Sequence, residues 1–448
     1  MKSLDDIAAE LQGYDPAALP AGKVNEFLAA LVQPVAQTEN LPLMQGLDRV
    51  LAQDVISPIS VPPHDNSAMD GFAFAGSELK TDAPTRLAVV GTALAGKAWQ
   101  GDVQTGQCVK IMTGAIMPAG LDTVAPQEMC SLNGDVITIS ANILKTGDNR
   151  RFAGEDLLAG SIALSKGELL APAALGLLAS LNMPTVQVYR KLKVAYFSTG
   201  DEVLSLGDAP REGAIFDSNR YTVFGMLKRW GCEVIDMGVM RDDPLQLEAA
   251  FMHAAAHCDV VITSGGVSVG EADHTKAMMK KLGDVAFWKI AMRPGRPMAV
   301  GRISSALFEA KSASSRQEIS ASSYQNDSVL FGLPGNPVAT MVTMLAFVRP
   351  ALLRMSGANA EKYCGQPLYL QAASQENLRK KPGRTEYQRG LVSHAPDGSL
   401  QVRTTSSNQG SGVLSSMVQA NGLIVLHHDQ GNVASGEKVD VMMFEGVM

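Results

Sequence analysis

The run Asp259-Val-Val-Ile-Thr-Ser-Gly-Gly-Val-Ser-Val-Gly-Glu-Ala-Asp273 constrains this chain more than any other stretch. Val260, Val261 and Ile262 form a short β-branched run of the kind that fills a central parallel strand covered on both faces. Gly265, Gly266 and Gly270 then remove the Cβ atoms that would hold backbone N–H groups away from an anion, and the pattern predicts a helix over His274 to Leu282. Strand, glycine loop and helix in that order make an anion cradle at the carboxyl edge of a sheet, with Glu271 and Asp273 beside it. The spacing is neither that of G-x-x-x-x-G-K-[ST] nor that of G-x-G-x-x-G, so a plain tight turn is the other reading of this loop taken alone.

A second unit, Val329-Leu-Phe-Gly-Leu-Pro-Gly-Asn-Pro-Val338, repeats the logic. Pro337 sits where a helix would begin and gives up an N–H that the helix start cannot use. Gly332, Gly335 and Asn336 then offer a second backbone contact for a phosphate-linked group, or an ordinary strand-to-helix turn. Two further strands end in acids: Leu192 to Ser198 leads into Thr199-Gly-Asp-Glu202, and Cys232 to Met240 leads into Arg241-Asp-Asp243. Ligands of open α/β sheets bind beyond the carboxyl ends of the strands. One parallel sheet would therefore crowd Asp201, Glu202, Asp242, Asp243, Glu271 and Asp273 on one rim, where a hard cation such as Mg²⁺ relieves their repulsion. Asp242 before Pro244 and Asp273 before His274 fit helix caps equally well.

A chain of 448 residues exceeds one ordinary core. The expected organisation is α/β and multidomain: a doubly wound α/β domain over 191–357, flanked by a strand-rich N-terminal lobe over 61–165 and a C-terminal β-barrel over 358–448. Residues 1–60 and 166–190 are read as a helical segment packing with the sheet domain, with periodic apolar residues through Val24 to Val32 and Gly46 to Val55. Ser304 to Ser328 is polar and serine-rich and reads as a disordered surface insertion, a partner-binding tether being the alternative.

Net charge of −7 leaves no basic footprint and excludes nucleic acid as the main partner. Leu169 to Leu181 is broken by Pro172 and is too short to span a bilayer, so no membrane is expected. Asp5, Asp6 and Glu10 interrupt the stretch where a signal peptide would be apolar, and a cytoplasmic location is the expectation. The five cysteines lack any C-x-x-C pair, which signals neither zinc nor a disulfide framework. His253 and His257 stand four apart without the glutamate of H-E-x-x-H and read as surface or helix-end histidines.

The ordered set Asp65-Asn-Ser-Ala-Met-Asp-Gly71, Met112-Thr-Gly114, Gly154-Glu-Asp156, Ser198-Thr-Gly-Asp-Glu202, Ser264-Gly-Gly-Val-Ser268 with Asp273, and Gly332-Leu-Pro-Gly-Asn-Pro337 resembles the MoeA family of molybdopterin molybdenumtransferases, related to the E domain of gephyrin. The resemblance covers almost the whole chain and makes the sheet domain a molybdopterin-binding domain. It implies a transferase that binds adenylylated molybdopterin and molybdate, releases AMP with Mg²⁺, and forms molybdenum cofactor. It implies catalytic roles for Asp70, Thr113, Asp156, Glu202, Asp242 and Asp273, the last three as metal ligands, and substrate binding by Ser264, Gly265, Gly266, Ser268, Pro334, Gly335 and Pro337. It also implies a homodimer that completes each site across its two-fold axis. The adenylyltransferase of the same pathway and molybdoenzyme acceptors are the further partners it admits.

Molybdate is a dianion, and Trp288-Lys-Ile-Ala-Met-Arg-Pro-Gly-Arg-Pro297 supplies cations on a proline-stiffened turn. Arg293 and Arg296 are the expected oxyanion clamp, a solvated hairpin tip being the alternative. The family commonly carries lysines at these two positions, and arginine replaces a point charge with a planar fork. Arg384 and Ser411, in the C-terminal segment, are weaker molybdate candidates. Competing readings are an adenylyltransferase, whose relatives resemble only the sheet domain, and a non-catalytic scaffold.

Overall fold

Short apolar runs buried on both faces build the central sheet. In the computed structural model, which describes residues 2–267, 274–304, 327–365, 367–406, 408–445 and 448, the strand Val260–Ser264 is buried along its whole length. It pairs in parallel with Lys193–Thr199 on one side and Ser328–Leu333 on the other. The strand order is Glu233–Met240, Lys193–Thr199, Val260–Ser264, Ser328–Leu333, Pro297–Ile303, Gly283–Lys289. The first four are parallel, and the last two are antiparallel. The expected doubly wound sheet thus carries an antiparallel edge, because Ile290 to Arg296 is too short for a crossover helix and can only reverse the chain.

Residues alternate between the two faces of this sheet. Val194, Tyr196, Val260 and Ile262 pack with the helices Ala21–Leu31 and Asn219–Arg229. Ala195, Phe197 and Val261 pack under Pro244–His257 and His274–Leu282. The helical run Pro337–Met355 is long and apolar enough to cross a membrane, yet 78% of its apolar window is buried inside the fold, as a core helix is. Its middle, Met344–Val348, is π-helical. Pro350 follows within the same run, where it lacks an N–H and its ring crowds the carbonyl a turn earlier, and a local widening accommodates both.

The chain forms two compact units, one of Met1–Glu39, Asp48–Val50 and Val188–Met448 and the other of Asn40–Leu47 and Leu51–Gln187. In the first unit, the buried Arg302 guanidinium donates to Lys2 O and Leu31 O, both at 2.7 Å, tying the N-terminal helices to the sheet. The same unit ends in Leu370–Ser374, Thr385–His394, Leu400–Thr404, Gly422–Leu426 and Lys438–Met443. Each of these strands is bonded to two others, which closes a five-strand barrel around Val402, Ile424 and Val441. The second unit holds a six-strand sheet in the order Thr123–Pro126, Gly71–Phe74, Gln107–Ile111, Thr85–Ala93, Val136–Ile139, Cys130–Asn133. Gly71 is required there, since a Cβ would lie 2.0 Å from Ala125 O.

Two expectations differ from the structure. Gly46 to Val55 is not helical: Asp48 takes a left-handed φ of 59°, which ends any right-handed run, and the segment leads into the short strand Val55–Ile56. Of the serine-rich stretch, residues 305–326 lie outside the described residues. Ser328 belongs to a strand, where its buried hydroxyl donates to Ala255 O at 3.0 Å and Cys258 O at 2.6 Å.

Asp259 anchors the start of the central strand. Its carboxylate accepts from both Arg190 terminal nitrogens, at 2.7 and 2.6 Å, and from Lys193 N at 2.8 Å. Asp259→Ala takes the carboxylate away from a largely buried guanidinium and is expected to cost about 3 kcal/mol of stability, read as a shift in the urea midpoint with an unchanged slope.

Candidate functional site

The carboxyl ends of the parallel strands open into a cleft of about 970 Å³. Both predicted glycine loops line it. Gly265 has φ +91°, and a Cβ there would stand 2.5 Å from Thr199 O; Gly266 has φ +64°, and a Cβ would stand 2.5 Å from the Thr275 Cβ. A Cβ on Gly335 would lie 3.8 Å from the Gly265 Cα, so the two loops abut. Gly265 N also donates to Leu333 O at 3.1 Å. Pro337 is in the first turn of its helix as expected, and the next N–H, that of Val338, donates to Ser411 O at 3.0 Å. A loop of the C-terminal region is thereby fastened to the rim.

Behind the loops lies a hydroxyl network. The buried Tyr196 hydroxyl is 2.6 Å from Ser264 Oγ and 2.9 Å from Ser198 Oγ, and burial pushes its pKa up so that it stays protonated. Tyr196 was not legible as a site residue, because its strand pattern is that of any core position.

Glu202 and Asp242 both line the cleft. The helix Pro244–His257 is capped by Asp243, whose carboxylate accepts from Gln246 N at 2.9 Å, so Asp242 is not the cap. Ser268, Glu271 and Asp273 lie outside the described residues. Among the described residues, no three of His, Cys, Asp and Glu gather as a metal cage. Two carboxylates beside anion-binding loops nonetheless suit Mg²⁺, which takes one or two protein carboxylates and completes its shell with water and substrate phosphate. The His253 and His257 rings lie with centroids 4.5 Å apart and planes tilted by 34°, and His257 Nδ1 is 2.8 Å from His253 O, both on the helix Pro244–His257.

Of the four molybdate candidates, Arg293 and Ser411 line the cleft, and Arg296 and Arg384 are not among its lining residues. Arg384 is occupied by the buried Glu386, with nitrogen–oxygen distances of 2.8 and 2.7 Å. The sequence reading missed Arg389. It is fully buried and donates to Gln409 O at 3.2 Å, Gly410 O at 3.0 Å and Ser416 Oγ at 2.9 Å, so it holds the loop that brings Gln409, Gly410 and Ser411 to the cleft. Burial, and then the neighbouring Arg293, pull its pKa down to about 10.

In the second unit, two motif loops and the turn at Asn149 are stitched together. Asp70 Oδ1 accepts from Thr113 N and Thr113 Oγ1, both at 2.7 Å, and these bonds hold the exposed Asp70 carboxyl below the usual range. Ser67 N donates to Ala115 O at 3.0 Å, and Ala68 N to Asn149 O at 2.9 Å. Asp156 sits on a separate turn, its N–H donating to Val61 O at 3.1 Å.

A largely parallel α/β sheet with two glycine loops over one cleft, and a closed barrel in the same unit, defines an α/β protein whose cleft opens at the carboxyl ends of its strands. Comparison narrows the class. Residues 21–182 match the family described as "MoeA N-terminal region (domain I and II)", 195–354 that described as "Probable molybdopterin binding domain", and 371–444 that described as "MoeA C-terminal region (domain IV)". A molybdopterin molybdenumtransferase of Haemophilus influenzae is 40% identical over 92% of this chain and 95% of its own length. One of Bacillus subtilis is 32% identical over 92% of this chain and 91% of its own. The crystal structure of a molybdopterin biosynthesis MoeA protein from Pyrococcus horikoshii superposes with a TM-score of 0.75 at 26% identity, covering 95% of this chain and all of that one. The chain belongs to the MoeA family, whose members are transferases of molybdenum cofactor biosynthesis.

Gly265→Ala puts a methyl group against a backbone carbonyl in a left-handed conformation and is expected to cost about 1–3 kcal/mol and to abolish binding of AMP, used as a phosphate-ester probe. Gly383→Ala is the control: φ is +89° but no atom lies within 4 Å of the new Cβ. It should lower the melting temperature slightly and leave the AMP titration unchanged.

Proposed function

We propose that this chain is a molybdopterin molybdenumtransferase, taking adenylylated molybdopterin and molybdate to molybdenum cofactor and AMP. The observation that carries the reading is the single cleft in which both glycine loops meet Glu202, Asp242 and Arg293. The glycine loops bring backbone N–H groups, other than that of Gly265, which is held by Leu333 O, to the phosphate oxygens, and the Tyr196 network fixes the Ser264 hydroxyl beside them. Glu202 and Asp242 would hold Mg²⁺, which when bound neutralises phosphate charge. Arg293 presents a planar fork of donors to the molybdate dianion, and the Arg389-held loop keeps Ser411 on the same rim. Cleavage of the phosphoanhydride needs positioning and charge neutralisation more than covalent participation, and these residues supply both. Matches to the MoeA regions on either side of the sheet domain favour this reading over a free-standing adenylyltransferase.

The test is purified protein with adenylylated molybdopterin, Mg²⁺ and molybdate, followed by AMP release and reconstitution of a cofactor-free molybdoenzyme. Asp242→Asn is expected to lose about a hundredfold or more in AMP release. Asp243→Ala should lose about 1 kcal/mol of stability through the missing cap and keep its turnover. Turnover by the Asp242 variant at the wild-type rate would sink its role.

The homodimer proposal places the partner subunit's Asp70 at each cleft. Asp70→Asn and Asp242→Asn, each inactive, are unfolded together and refolded. Mixed dimers then contain one site with both lesions and one with neither, so roughly a quarter of all sites should recover activity. A refolded mixture that contains mixed dimers and stays inactive overturns the shared site.

A further inference from the structure

The segment Ile215–Asn219 lines the cleft, and the chemistry above gives it no task. Ile215 and Phe216 are exposed apolar side chains, 62% and 44% accessible, whereas Asp217 and Asn219 are 5% and 8% accessible. Asp217 Oδ1 accepts from Arg220 N at 3.0 Å, but its Oδ2 is buried and has no hydrogen-bond partner among the described residues. Asn219 Nδ2 donates to Gly335 O at 2.7 Å, which fixes the amide orientation, and its Oδ1 is likewise buried and unpartnered. Buried polar atoms of this kind call for a ligand or water that the fold itself does not supply.

Both free atoms are acceptors, and one belongs to a carboxylate. They repel phosphate and molybdate, so they serve a part of the substrate that the glycine loops and Arg293 do not. Asp217 and Asn219 are two residues apart on one stretch of the cleft wall, and two acceptors so placed are matched by neighbouring N–H donors on a planar ring. Resting on the substrate reading above, the choice lies between two heterocycles. A 2-amino-4-oxopteridine presents its ring N3–H beside its 2-amino group, two donors side by side. Adenine presents its amino group beside a bare ring nitrogen, which would face an acceptor. We propose that Asp217 Oδ2 and Asn219 Oδ1 form the edge that reads the amino-oxo end of the pterin, with Phe216 offering the face on which the ring lies. The adenylate is thereby assigned to another part of the cleft.

Full-length protein is titrated with pterin (2-amino-4-oxopteridine), with lumazine, in which a carbonyl replaces the 2-amino group, and with AMP. The wild type should bind pterin at least about tenfold more tightly than lumazine, because lumazine turns an acceptor toward an acceptor. Asp217→Asn keeps an oxygen for Arg220 N but presents an amide in place of a carboxylate; it should bring the ratio to within about twofold and leave AMP affinity unchanged. Phe216→Ala should weaken pterin and lumazine alike. Equal wild-type affinities, no pterin binding at millimolar concentration, a preference retained in Asp217→Asn, or loss of AMP in place of pterin would each overturn the proposal. The wild-type ratio decides the matter even where Asp217→Asn does not fold. A pterin preference without AMP release would overturn the transferase reading and leave this edge standing, and AMP release without a preference would do the reverse.

Discussion

The parallel register of Val260–Ser264 with both its neighbours is the constraint on which the site depends. Parallel pairing aligns Ser198 with Ser264 and Ser264 with Leu333, so the chain leaves three adjacent strands at one level. The two glycine loops and the Thr199–Glu202 turn are therefore neighbours in space although they are far apart in sequence. An antiparallel arrangement would send alternate loops to the opposite edge. The Asp259–Arg190 pair, at the other end of the central strand, fixes where that register begins.

Glycine is what allows the loops to close on each other. At Gly265 the space for a side chain is already filled by the Thr199 carbonyl, and at Gly266 by Thr275, so the backbone that faces the cleft is pressed against its own scaffold. The rim is then finished by a segment from the barrel. Arg389 spends its buried charge on carbonyl oxygens of the Gln409–Gly410 loop, with no carboxylate bonded to it among the described residues. Its cation stands next to Arg293, and Arg293 lines the same cleft as Glu202, Asp217 and Asp242.

Wherever a local pattern maps onto local structure, the sequence was readable. Helix His274–Leu282, the proline-started helix at Pro337 and the glycine loop ahead of each follow from short-range rules of periodicity and φ preference. Gly46 to Val55 shows the limit of those rules: its apolar spacing is helical, but the left-handed Asp48 sets the backbone differently. At Pro244 the cap is Asp243, the residue directly before the proline at the first helical position, and the bond to Gln246 N shows it.

Sequence alone determined the family-wide motif order, the strand-loop-helix units and the chemical types that the site draws on. Those depend on residues near one another in the chain, where steric and hydrogen-bonding preferences act directly. Tertiary structure decided which of those residues share a cleft. It placed Arg293 there and left Arg384 bound to Glu386, joined Asp70 to Thr113, and recruited Tyr196, Arg389, Asp217 and Asn219, which carry no local signature. Burial is the physical reason: an unpaired oxygen or a guanidinium becomes informative only when the surrounding chain has excluded water from it, and that exclusion is a property of the packed fold.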